Sequence, residues 1–179
     1  MEMSSREIWT ALHGMVLGAA FLPAFTGGFI TLWDLRSGSI TIEGARRSAR
    51  RLIVWTWTMA VLAWLTVIVG TYVVYPWYRA KPPAGTTGAA LANYPRNLLL
   101  SSPRTADWHE FGMEWKEHVA WLAPILATAV AFVVTRYRGQ LAMDLHVRRA
   151  LLVLYGLAFF TAAWAGLLGA LINKAAPTR

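Results

Sequence analysis

The sequence predicts an all-α membrane protein, with four transmembrane helices in an up-and-down bundle and a long outer loop between helices two and three. Three observations carry the prediction. First, 56% of the 179 residues are hydrophobic. Second, the apolar residues fall into four stretches, roughly Ile8–Trp33, Leu52–Tyr75, Val119–Thr135 and Ala150–Ile172. Each holds about 17 to 26 residues, enough to cross roughly 30 Å of hydrocarbon as a helix. Third, arginines crowd the two short connections beside those stretches, as the positive-inside tendency requires of cytoplasmic loops.

Taken in order, the first helix is expected over about residues 8–33. Its leader "MEMSSRE" is net acidic and its apolar run is too long for a secretory h-region, so a retained span is expected. The second is expected over about 52–75, after "RSGSITIEGARRSARR". Residues 76–106 follow as the outer loop, with Pro76, Pro82, Pro83 and Pro95 arguing for irregular backbone and a short surface helix near Leu98–Leu100. "SSPRTADW" offers Ser, Thr or Asp as a cap, so the third helix is expected over about 107–136, its first turns in the interface. The fourth is expected over about 149–172. Neither a repeat nor a heptad pattern divides the chain, and residues 1–179 read as a single transmembrane domain.

Charge placement sets the expected orientation. The two short connections hold Arg36, Arg46, Arg47, Arg50, Arg51, Arg136, Arg138, Arg148 and Arg149, whereas basic residues near the long loop are nearly matched by acids. Both termini are therefore expected outside a bacterial-type cytoplasmic membrane. The net charge of +8 reads as topology signal and attraction to anionic lipid rather than nucleic-acid binding. Trp9, Tyr72, Tyr75, Trp77, Tyr78, Trp108 and Trp115 fit an outer aromatic belt, and Trp33, Trp55, Trp57 and Tyr137 an inner one. The chain lacks cysteine, which excludes disulfides, thiolate metal sites and CxxCH haem attachment.

The polar residues nearest the spans carry the functional expectation. In "HEFGMEWKEHVAWLAP", Glu110, Glu114 and His118 lie four residues apart and share a helical face. His13 sits in the apolar run "IWTALHGMVLG" of the first helix. Both histidines lie near the outer ends of their helices, at matched depth. Diagonal helices of a bundle stand roughly 12–14 Å apart, a gap two imidazoles can bridge to one iron. Gly14, Gly18, Gly112, Gly166 and Gly169 are candidates for making room, or for close helix packing. Glu114 is a candidate acceptor for a ring N–H or a proton relay. His109 is a weaker ligand candidate, and His146 reads as a solvated loop residue. Met15 and Met113 are possible thioether ligands or apolar filler. Pro124 and Pro23 are expected to bend their helices.

This architecture with the pair His13 and His118 resembles the small four-helix membrane-bound b-type cytochromes. The resemblance implies one haem b between the first and third helices near the outer face, with His13 and His118 as axial ligands. Glu114, Gly14 and Gly112 would support or pack the group. It implies an electron-transfer subunit of a respiratory or related redox complex, partnered by other membrane subunits, a peripheral redox protein or quinone. Two other classes stand beside it: a cofactor-free structural or assembly subunit, and a metal-handling protein using His13, His109, His118 and Glu114. A transporter and a hydrolase are disfavoured, since the sequence carries neither an inverted repeat nor a nucleophile–base–acid set.

Overall fold

The computed structural model describes residues 3–35 and 41–177; Arg36 of the first basic connection lies outside the described residues. The described residues are helical, without strands, and four helices are long and apolar enough to cross a membrane. They are α1 (Ser5–Asp34), α2 (Ile42–Tyr78), α4 (Pro103–Ala142) and α5 (Leu145–Ala175). A short helix, α3 (Pro95–Leu100), lies in the segment between α2 and α4, close to the expected surface helix. Each long helix outruns its apolar stretch because its polar flank is also helical.

The helix starts explain those flanks. Ser4 caps α1 in a reciprocal box: its Oγ accepts from the Glu7 amide, and the Glu7 carboxylate accepts from the Ser4 amide at 2.7 Å. The acidic leader is thus a helix start. Thr41 Oγ1 accepts from the Gly44 amide, so α2 begins ten residues before its apolar run. Ser102 Oγ accepts from the Arg104 amide, and α4 starts at Pro103 rather than near Asp107. The helix of α4 is interrupted at Ala120–Trp121. Pro124 accounts for the place, because a proline clashes with the carbonyl four residues back, here that of Ala120. By contrast, α1 runs unbroken past Pro23.

The chain divides into two compact units, each assembled from pieces of all four long helices. The second unit comprises residues 19–64 and 121–162. Its core includes Leu32, Leu52, Met59, Val130, Leu151 and Tyr155, all fully buried. Two glycines admit large rings here: a Cβ on Gly27 would meet Trp55, and one on Gly28 would meet Tyr155. The Tyr155 hydroxyl donates to the Ala24 carbonyl at 3.1 Å, which settles the one polar atom of that side chain.

Between α2 and α4 the second unit carries two matched side-chain bonds. Trp57 Nε1 donates to Thr135 Oγ1 at 2.9 Å, and Trp64 Nε1 donates to Thr128 Oγ1 at 3.0 Å. The tryptophans and the threonines are each seven residues apart, two helical turns, and the order of pairing makes the helices antiparallel there. Each threonine hydroxyl also donates to the carbonyl four residues back, leaving its lone pairs to the indole. Trp57, expected as an interfacial anchor, therefore also links helices.

The first unit comprises residues 1–18, 65–120 and 163–179. Its apolar core is small: Tyr78, Leu99, Met113, Ile172 and Ala176. Met113 is buried packing, while Met15 is 74% exposed.

Candidate functional site

Three π-helical segments occur in the first unit: Leu12–Val16 in α1, Gly70–Val74 in α2 and Trp108–Met113 in α4. Such segments cost backbone geometry and frequently mark working sites. Two of them hold the histidines His13 and His109. A third feature is a set of titratable side chains in the same unit.

His109 is the centre of that set. It is 5% exposed. The Arg96 Nε–H donates to its Nε2 at 2.9 Å, and its Nδ1 lies 3.0 Å from the Tyr78 hydroxyl. An arginine can only donate, so Nε2 must carry a lone pair. The ring is then neutral with its proton on Nδ1, and Nδ1–H donates to Tyr78 Oη. Tyr78 keeps its own hydrogen for a further acceptor. Glu117 stands near enough to act on Tyr78 and His109 electrostatically, as Glu114 does on His109. Glu117 also acts on the Tyr75 hydroxyl electrostatically, and Arg79 donates to that hydroxyl at 2.6 Å. One Glu117 oxygen, Oε1, is buried without a hydrogen-bond partner among the described residues. Arg96, His109 and Tyr78 are thus hydrogen-bonded across α3, α4 and α2, with Glu117 acting on the group electrostatically.

His13 stands elsewhere in the same unit. Its ring packs on Gly70, where an added Cβ would come within 2.6 Å of Cε1, and it reaches the Thr66 backbone. Lys116 acts on it electrostatically, and Lys116 in turn lies against Gly169. The Nδ1 of His13 is buried without a partner among the described residues.

His118 faces another way. It is exposed, and its Nδ1–H donates to the Glu114 carbonyl at 2.7 Å. The backbone oxygen of Glu114, not its carboxylate, thus holds the ring. Glu110, Phe111, Glu114, Trp115, His118 and Val119 line one open groove of about 260 Å³. The expected stripe of Glu110, Glu114 and His118 is therefore present, on an outward face.

His13 packs on Gly70, whereas His118 is exposed. Lys116 and His118 lie in the same α-helical stretch, Glu114–Val119, about 200° apart around the axis. Lys116 lies against Gly169, and His118 is exposed. Gly14 and Gly166 are exposed with open space about them, and Gly112 is buried against Trp108 and Ile172, so these glycines do not outline a common cavity. Nor do any three His, Asp or Glu side chains among the described residues group to hold a metal ion. His146 is exposed.

The bonds of His109 to Tyr78 and Arg96 were not legible in the sequence. The π-helical turn is the cause: its i→i+5 bonding inserts a residue, so a wheel drawn at 100° per residue misplaces His109 against His118. The readable signal was the density of titratable groups around residues 107–118.

No protein-family model, curated protein or solved structure matches this chain.

Proposed function

We propose that this chain is an integral membrane subunit that takes up and releases a proton at His109, and that the host reaction exchanges protons at one membrane face. Quinol-linked electron transfer is the reaction class we favour, the chain serving a redox complex without itself holding haem between His13 and His118. One observation carries the reading: the two-sided bonding of buried His109, with its lone pair committed to Arg96 and its proton to Tyr78. Ionisable groups in membrane spans are costly and are kept for use.

The chemistry follows from the tautomer. When a proton from water adds to Nε2, that nitrogen becomes a donor and Arg96 loses its acceptor. Two cations then face each other, and Arg96 must move. Nδ1–H still donates to Tyr78, and the carboxylates of Glu114 and Glu117 offset part of the new charge. Loss of the proton restores the arginine contact. Because Arg96 belongs to α3, in the segment joining α2 and α4, proton uptake is coupled to that segment's position.

A second reading, a cofactor-free assembly clamp, is favoured by the same bonds acting as a fixed tie between elements. The two differ in their response to pH. The chain lacks cysteine, so Leu100→Cys at the exposed end of α3 gives a single spin-labelling site. The label is attached once, the full chain is placed in nanodiscs, and its mobility is followed from pH 8 to 5, the range in which histidines titrate. Mobility should rise on acidification, and His109→Gln, which can accept from Arg96 but not gain a proton, should abolish the rise. A label indifferent to pH, or one responding equally in the glutamine variant, favours the clamp.

A further inference from the structure

The strongest charged surface outside the His109 group lies at the start of α2. Thr41 starts the helix well ahead of its apolar run, so Arg46, Arg47, Arg50 and Arg51 are held on regular helix rather than in a loop. Ala49, Leu52 and Thr56 mark the buried side of that helix. The four arginines are exposed and span an arc of about 140° on the other side, by 100° per residue. None makes a hydrogen bond or ion pair among the described residues, although Glu43 shares the arc and offsets one charge. The apolar window begins at Leu52, directly after Arg51, and the aromatic rings of Trp55 and Trp57 follow one turn on.

Other arginines of the second unit are differently used. Arg148 donates to the Leu141 and Ala142 carbonyls, and Arg138 donates to the Thr135 carbonyl. These two finish the end of α4. Arg136 and Arg149 are exposed. Within one unit, then, some guanidiniums complete helix ends while the α2 set is left for something outside the chain.

We propose that Arg46, Arg47, Arg50 and Arg51 form a binding surface for the phosphate headgroups of anionic phospholipid. Placement selects this partner. Guanidiniums at the first residues of a membrane-crossing helix stand at headgroup level, with their stems free to lie along the hydrocarbon edge. Guanidinium matches phosphate oxygens in paired N–H···O bonds. A nucleic acid would need a surface clear of the headgroups, and these side chains stand within a turn of the apolar window. An anionic surface holds each nearby arginine by about 1 kcal/mol, roughly a fivefold preference per residue before salt screening.

The test uses the full chain in nanodiscs containing spin-labelled phosphatidylglycerol or spin-labelled phosphatidylcholine. The fraction of label immobilised by the protein gives the preference between the two lipids. The wild-type chain should prefer phosphatidylglycerol several-fold, and raising salt to 0.5 M should cut that preference. Arg46→Gln with Arg50→Gln should reduce it, and adding Arg47→Gln with Arg51→Gln should reduce it further. Arg138→Gln serves as the control that leaves it unchanged. Competition by millimolar inorganic phosphate would show a free-anion site instead and overturn the lipid assignment. A preference unaltered in the fourfold variant, or salt-sensitive oligonucleotide binding without lipid preference, would overturn it too. The tryptophan emission maximum verifies that the variants keep the wild-type fold.

Discussion

Replacing His109 by leucine tests the energetics of the polar group most sharply. Leucine is close in size, so little cavity opens and the effect reports the two lost bonds. The Arg96 Nε–H and the Tyr78 hydroxyl each lose a partner. Arg96 is half-buried and can turn to water, so its share is small. Tyr78 is only 3% exposed and has no such route. An unmade buried bond costs about 1–3 kcal/mol, whereas side-chain bonds inside membrane proteins average nearer 0.6, with a maximum of about 1.7. The expected destabilisation is therefore about 1–2 kcal/mol, most of it from Tyr78. His109→Gln keeps an acceptor for Arg96 and a donor for Tyr78, and should cost less than about half as much on the same scale. Reversible unfolding in mixed micelles of rising SDS content, followed by tryptophan emission, measures both. Equal losses for leucine and glutamine would refute the role assigned to the two ring nitrogens.

Four further outcomes follow from the packing. Thr128→Val strands the Trp64 indole N–H and should cost about 0.5–1.5 kcal/mol. A double-mutant cycle with Trp64→Phe should return a favourable coupling for the pair, and additive losses would mean that the bond contributes nothing. Gly28→Ala forces Tyr155 out of its place against α1 and should lower stability by about 1–3 kcal/mol, as overpacking does; the companion Gly156→Ala, with open space around it, should be nearly neutral by the same unfolding assay. Gly70→Ala should displace the His13 ring, visible as a shifted histidine signal in ¹⁵N NMR. Finally, alanine at His13 or at His118 should leave any b-type absorbance band of the host complex unchanged in a reduced-minus-oxidised spectrum. Loss of the band in both variants would return the iron to that pair.

The four long helices were legible in the sequence because burial in hydrocarbon writes itself as about twenty consecutive apolar residues. The helix starts were harder, since Ser4, Thr41 and Ser102 act through single side-chain bonds in polar stretches where apolar periodicity is silent. Glu7 reads as charge in the sequence and as half of a capping box in space. The stripe Glu110, Glu114 and His118 was correctly placed on one face, yet direction around the helix needs a neighbour to refer to. Lys116 against Gly169 supplies it. His109 was the least legible, because its orientation depends on a π-helical turn and on Arg96, thirteen residues earlier in a segment without periodicity. Trp64 and Thr128, sixty-four residues apart, illustrate the same limit for contacts between spans.

The most direct measurement is ¹⁵N NMR of the full chain in nanodiscs with ¹⁵N-labelled histidine rings. Four histidines give few signals, and His109→Gln assigns the one of interest. At pH 8 the His109 ring should be neutral with its proton on Nδ1, and its Nε2 signal should shift in Arg96→Gln. On acidification it should pass to the doubly protonated form as the Leu100 label loosens. A neutral ring protonated on Nε2, or an Nε2 signal indifferent to Arg96, would contradict the proton-exchange function.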